Sequence, residues 1–323
     1  MNKTKLIFVL LTSLALGACS NSDDDELTSQ QPKFYPMTIE VTENPMVQDG
    51  EGGGTTRAAI TTNSSLDKFY MSYVYGSEAS SDPITATKDG DGKWKSDDGS
   101  WPVGESTVVS WYASTDGQFN QTEGANKLPY INFTVEEAAA NQHDLLVATA
   151  SGTYSGTGGK LSFTFDHACS ALRFYIKKAN NMANYTLSIT QVRFCNVINQ
   201  GQYFFDNSSW TLGSNRSFYT LYEGTAVTLG TTEYEALNNS SSPYLFIIPQ
   251  TLTAWDGTTA IASAGEQTYI EIVCTIMKND QQEYSGTAYI PFAATFEKGT
   301  KYDVKINIGK NSLYNSPNNK IIP

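Results

Sequence analysis

The sequence predicts an all-β protein built from antiparallel β-sandwiches, and three observations carry that prediction. Short apolar stretches alternate with a period of two, turn dipeptides separate them, and helical periodicity is almost absent. Many short strands at this spacing indicate sandwiches rather than a parallel α/β sheet. The 323 residues leave room for two domains of ordinary size behind a leader. The glycine-rich "SGTYSGTGG" places the break between them near Ser155 to Gly159.

The chain opens with a signal peptide over residues 1–18. Lys3 and Lys5 supply a positive start, and Leu6 to Leu16 is an apolar run too short to span a bilayer. Leu16-Gly17-Ala18-Cys19 resembles a bacterial lipobox, in which Cys19 becomes the lipidated first residue of the mature chain. The acidic run Ser22-Asp23-Asp24-Asp25-Glu26 then resembles the export tag of surface lipoproteins, so an outward-facing protein held to the outer membrane is expected. Residues 19–54 are polar, acidic and glycine-rich, with Pro32, Pro36 and Pro45, and read as a tether with little apolar surface to bury.

Strand signals follow. Phe69, Met71, Tyr73 and Tyr75 share one face of a period-two run, and Val109, Trp111 and Ala113 share another. The Asp-Gly pairs at Asp89, Asp91 and Asp98 suit tight hairpin turns. A calcium loop started at Asp89 fails, because Lys93, Trp94 and Ser100 stand where an acceptor, a glycine and a glutamate are needed. Thr134, answered by Glu137, predicts a short capped helix through "VEEAAAN". In "GKLSFTFDHACSALRFYIKK", Leu161, Phe163 and Phe165 share one parity and Leu172, Phe174 and Ile176 the other. The chain must therefore bulge or bend between His167 and Ser170 and serve two packing surfaces. A similar slip separates Tyr185, Leu187 and Ile189 from Val192 and Phe194, whereas Ile270 to Ile276 and Tyr302 to Ile308 alternate cleanly.

The chemistry available is narrow. Acidic residues outnumber basic ones 33 to 21, for a net charge of −12, which repels nucleic acid and anionic membrane surfaces. Cys169, Cys195 and Cys274 are odd in number and lie in or beside strand-like runs, so they read as buried apolar residues rather than a disulfide framework. His143 and His167 have no ligand at metal spacing, and His167 and its neighbour Asp166 would point to opposite faces of a strand. No nucleophile elbow, phosphate loop or dinucleotide fingerprint occurs, and no carboxylate pair stands out. The reading is a non-enzymatic protein with no cofactor and no metal. Trp94, Trp101, Trp111, Trp210 and Trp255 fill cores or offer platforms to sugar rings, and the second option makes a non-polymerising, glycan-binding surface lipoprotein the alternative.

Several motifs occur in an order similar to that of fimbrillin-like proteins, the pilin subunits of type V pili. They are the lipobox at Cys19, "TTRAAI" from Thr55, "GSWP" from Gly99, "VVSWYA" from Val108, "HDLLVA" from His143 and "FTFDHACSALRFYIKK" from Phe163. "NQGQYFF" from Asn199, "FIIPQTL" from Phe246 and "FEKGTKYDVKINIGK" from Phe296 complete the series. The resemblance implies two tandem transthyretin-like β-sandwich domains, over residues 55–158 and 159–323, and a pilus subunit that contributes to adhesion. It implies cleavage after Arg57, leaving Ala58 as the new first residue, and an exchangeable strand at Thr56, Ala59, Ile60 and Thr61. The partners implied are other pilus subunits that donate a strand, a host or bacterial surface ligand, and the outer membrane through the lipid. Pro317 and repeated asparagines interrupt the tail "NSLYNSPNNKIIP", leaving Leu313 with Tyr314 and Ile321 with Ile322 as plugs. Its thirteen residues would reach about 40 Å when extended.

Overall fold

Alternation builds the strands, and one change of parity shares them between two cores. The computed structural model describes residues 35–48, 66–80, 82–123, 127–237, 244–315 and 319–321. Lys160–His167 buries every second residue, Leu161, Phe163, Phe165 and His167, while Ser170–Lys178 buries Leu172, Phe174 and Ile176 on the opposite parity. Ala168 and Cys169 form the break between the two strands, at the position where the apolar pattern slips. Phe163 and Phe165 enter one core and Phe174 and Ile176 the other.

The smaller core is enclosed by a sheet whose ends meet. Its order runs Glu78–Ala79, Lys68–Tyr75, Ile84–Lys88, Trp94–Ser96, Thr38–Glu43, Lys160–His167, Leu146–Gly152 and Val109–Ser114, and the last of these pairs back with Lys68–Tyr75. Phe69, Met71, Trp101, Trp111, Phe163 and Phe165 fill the interior. The Ile84–Lys88 and Trp94–Ser96 strands form the expected hairpin. In its turn Asp89 Oδ1 accepts the N–H groups of Asp91 and Lys93, and Gly92 takes the positive φ.

The larger core lies among the remaining sheets. Ser170–Lys178 and Thr300–Ile308 run parallel, and Arg216–Thr228, Tyr185–Ile198, Tyr269–Lys278 and Gln281–Pro291 form an antiparallel series. The slip within Tyr185–Ile198 is a register shift between Ile189 and Gln191. A four-stranded sheet crosses the sequence boundary at 158, because Pro129–Thr134 pairs with Gln200–Phe204 and buries Ile131 and Phe133 in the larger core. Residues 35–323 thus form one compact unit with two apolar cores, compatible with a tandem arrangement.

Two elements differ from the sequence reading. Thr134 caps no helix: it pairs with Gln200, the next N–H, of Val135, donates to Asn199 O at 2.7 Å, and only the 3-10 turn Ala139–Asn141 follows. Burial of Val135 in the core holds this stretch extended against the helix formers that follow it. The stretch read as a tether is also partly structured, since Thr38–Glu43 and Val47–Gln48 are strands and Met46 is 1% exposed. Its β-branched Thr38, Ile39, Val41 and Thr42 favour a strand despite the surrounding acidity.

Candidate functional site

The leader strand Thr38–Glu43 is a stave in the closed sheet. It runs parallel to Lys160–His167, in register from Thr38↔Lys160 to Glu43↔Phe165. Backbone bonds fix both ends: Thr38 N–H donates to Gly159 O at 2.9 Å, Asn44 N–H to Phe165 O at 2.8 Å and Val47 N–H to Gly299 O at 2.8 Å. Gly159 has φ +78°, and a Cβ there would lie 2.5 Å from Pro36 O, so the leader enters over a residue with no side chain. Ile39 is buried in the smaller core and Met46 in the larger, so the leader touches both. Tyr35, Met37 and Val41 are partly buried against the smaller core, and the remaining contacts are polar. Glu40 pairs with Lys160 at 2.6 Å, Thr42 Oγ1 meets Thr164 Oγ1 at 2.9 Å, and Asn44 Nδ2 donates to Asp166 Oδ1 at 2.7 Å.

One contact reaches inside. His167, at the end of the neighbouring strand, has Nδ1 against the Asp144 carboxylate, and Glu43 Oε1 of the leader lies 3.3 Å from its Nε2. The side chains of His167 and Asp144 are 5% and 8% exposed. Nε2 is within ion-pairing reach of Glu43, and among the described residues it has no hydrogen-bond partner. Asp144 also accepts the N–H of Cys169 at 3.3 Å. Burial, followed by the Asp144 charge, pushes the Cys169 thiol well above its ordinary range. The partner of His167 is therefore Asp144 rather than Asp166, in keeping with the opposed directions of neighbours on a strand. Among the described residues no group of three or more His, Cys, Asp or Glu is arranged to hold a metal.

The tryptophans divide. Trp101, Trp111 and Trp255 are 3%, 0% and 1% exposed, so they are core residues and Trp101 is removed as a sugar platform. Trp94 is half-buried, with its ring 4.9 Å from Phe69, and Trp210 donates its indole N–H to Ala168 O. Cys169, Cys195 and Cys274 are free and buried, as the strand pattern predicts.

The family model described as Fimbrillin-like matches residues 56–321. The chain belongs to the fimbrillin-like family. Its fold is similar to that of a fimbrial protein from Bacteroides vulgatus, with a TM-score of 0.52 at 13% identity, covering 84% of this chain and 95% of that one. A candidate cell adhesion protein from Bacteroides ovatus is also similar, with a TM-score of 0.48 at 15% identity over 87% and 95% of the two chains. No curated protein matches the sequence.

For this fimbrillin-like chain, Cys19, Thr56, Arg57, Ala58, Ala59, Ile60 and Thr61 lie outside the described residues. What the structure brings together instead is the leader strand, the Lys160–His167 strand and the Asp144–His167 pair. The leader and the role of Asp144 were not read from the sequence. Alternation of Ile39 and Val41, with apolar Met46 beyond, was the available signal, and Glu40, Glu43, Pro36 and Pro45 obscured it.

Proposed function

We propose that this fimbrillin-like protein is a non-enzymatic pilus subunit, exported as an outer-membrane surface lipoprotein through Cys19 and joined to other subunits by strand exchange after cleavage at Arg57. The observation that carries the reading is the place of the leader: Thr38–Glu43 completes a closed sheet from a position upstream of Arg57. Cleavage there leaves the leader held by non-covalent contacts alone.

Those contacts suit release. A tethered strand rebinds at an effective concentration of roughly millimolar, and a severed one only at its own bulk concentration. Ile39 and Met46 are its two buried apolar side chains among the described residues, worth about 2 kcal/mol each, and Tyr35, Met37 and Val41 are only partly buried. Its departure would expose the backbone edge of Lys160–His167 together with apolar Leu161, Phe163 and Phe165, and only another strand satisfies both. Ala58 then begins the mature chain, and Thr56, Ala59, Ile60 and Thr61 are proposed to belong to the exchangeable strand beside the cut. In this reading the subunit contributes to adhesion at the cell surface, and the two cores correspond to tandem sandwiches, with Pro129–Thr134 contributing to the second from before residue 158.

Amino-terminal sequencing and mass spectrometry of assembled protein from cells test the reading. The expected product begins at Ala58, and an Arg57→Gln variant accumulates as lipidated, unassembled precursor. Assembled protein that still carries Cys19 and an intact Arg57 would exclude the mechanism.

A further inference from the structure

Glu40 and Glu43 are the charged residues among the described leader positions, and they differ in what they meet. Glu40 and Lys160 are 61% and 48% exposed, so water and salt screen the pair and it contributes little. Glu43 is itself 39% exposed but reaches His167, whose ring is nearly sealed and whose far nitrogen faces the buried Asp144 carboxylate. One carboxylate stands at each ring nitrogen, Asp144 at Nδ1 and Glu43 at Nε2. The buried Nε2 makes no hydrogen bond among the described residues, so the Glu43 carboxylate 3.3 Å away is its nearest compensating charge, and removing that charge leaves a buried polar atom without one. A backbone ladder accepts almost any sequence, whereas this position discriminates among occupants.

Taking strand exchange as proposed above, we infer that the vacated slot selects a strand from a different subunit, one carrying Asp or Glu at the position of Glu43, beside His167. An aliphatic residue four positions earlier, where Ile39 now sits, fills the smaller core. A second copy of this chain does not offer such a strand from residues 311–323, which contain no Asp or Glu. Leu313, within that tail, is also fully buried in its own larger core. The slot and the tail of the same chain are therefore mismatched, and a copy cleaved at Arg57 has lost the leader that carries Ile39 and Glu43, so the site fits an acid-bearing heterologous partner. Asp144 and His167 act as specificity-determining residues of the slot.

The test uses the full chain with a protease site built between Gly52 and Gly54, cut after folding, so that the result does not depend on Arg57. Four fluorescent peptides compete for the slot: residues 35–48, the same peptide with Glu43→Gln, the same with Glu40→Gln, and residues 309–323. The native and Glu40→Gln peptides should bind within about twofold of each other, and Glu43→Gln about tenfold more weakly. The tail peptide should not bind. Equal affinity of the native and Glu43→Gln peptides, or native-like binding of the tail, overturns the inference. If no peptide enters, strand exchange itself fails, and the role of the acid is read in the uncut chain. There, hydrogen exchange of the amides from Ile39 to Asn44 should quicken about tenfold in Glu43→Gln and not in Glu40→Gln, and equal protection in the two variants refutes the selectivity.

Discussion

Ile39 stands opposite Trp94, the single backbone pair joining the leader to the Trp94–Ser96 strand, against six pairs on the side of Lys160–His167. On that second side the leader is held mainly at its start, where Met37 N–H donates to Gly99 O at 3.2 Å, Trp101 N–H donates to Tyr35 O at 2.8 Å and Pro36 bridges Ser100. Ile39, 8% exposed, supplies the buried apolar contact on this side. Ile39→Ala should lower stability by about 2 to 3 kcal/mol in urea denaturation, through lost transfer energy and the cavity left behind. Thr42→Ala, which removes the exposed contact with Thr164 and a long hydrogen bond of 3.5 Å to Phe163 O, should cost no more than about 0.5 kcal/mol. Similar losses for both would mean that the smaller core does not depend on the leader.

The parity change at Ala168 and Cys169 makes a second prediction. Phe174 is fully buried, while its neighbour Arg173 faces outward in a bidentate pair with Asp303, both side chains about one-third exposed. Phe174→Ala should cost about 3 to 5 kcal/mol. Arg173→Ala should cost no more than about 1 kcal/mol, since a partly exposed pair is weakened by water and salt. Denaturation midpoints of the two variants decide the matter, and a reversed order would place the wrong face inward.

How much of this was legible follows from the same residues. Strict alternation gave the faces of Lys160–His167, Tyr269–Lys278 and Val109–Ser114, because side-chain direction on a strand is a local property. The bend at Ala168 was legible because two runs of opposite parity cannot belong to one flat strand. The leader was hidden because its burial is sparse: Ile39 and Met46 are seven residues apart, with carboxylates and a proline between them. The meeting of Glu43, Asp144 and His167 had no local signal at all, since it depends on a parallel pairing across more than a hundred residues. Likewise, Gln250 lies in an otherwise apolar motif, yet its side-chain amide accepts Ile198 N–H and donates to the carbonyls of Ile198 and Ile248, a closed arrangement invisible before folding.

The buried thiols give a pH dependence. Burial pushes Cys195 and Cys274 up to about 12 from an ordinary value of 9.0, with the Glu271 charge adding to the effect at Cys195. In the unfolded chain these thiols ionise near their ordinary value and in the folded chain only near 12. Stability from this source is therefore intact below about 9 and is lost as pH rises toward 12. Burial raises Tyr219 and Tyr269 in the same direction. The denaturation midpoint should fall steadily above pH 9. At pH 8 a disulfide reagent should leave Cys169, Cys195 and Cys274 unreacted until denaturant is added. Rapid native reaction at Cys195 or Cys274 would show that these strands open readily.

The tail supplies the last prediction. Tyr314–Asn315 pairs with Gln281–Pro291 through Tyr289↔Tyr314, Ile321 N–H donates to Leu313 O at 3.0 Å, and the Tyr314 ring sits 5.7 Å from Trp255. Leu313 is fully buried, so the tail anchors itself by an apolar plug and extends its own sheet instead of standing free. Leu313→Ala should cost about 3 kcal/mol and loosen the tail together, because the plug is its one fully buried apolar contact among the described residues. Limited proteolysis after Lys310 should quicken in that variant, and Trp255 fluorescence should shift as Tyr314 leaves. Tyr314→Phe keeps the ring and should change neither readout. Should Leu313→Ala leave proteolysis and stability at native values, the tail would be free to act outside its own sheet, and its donation to a neighbouring subunit would regain its place.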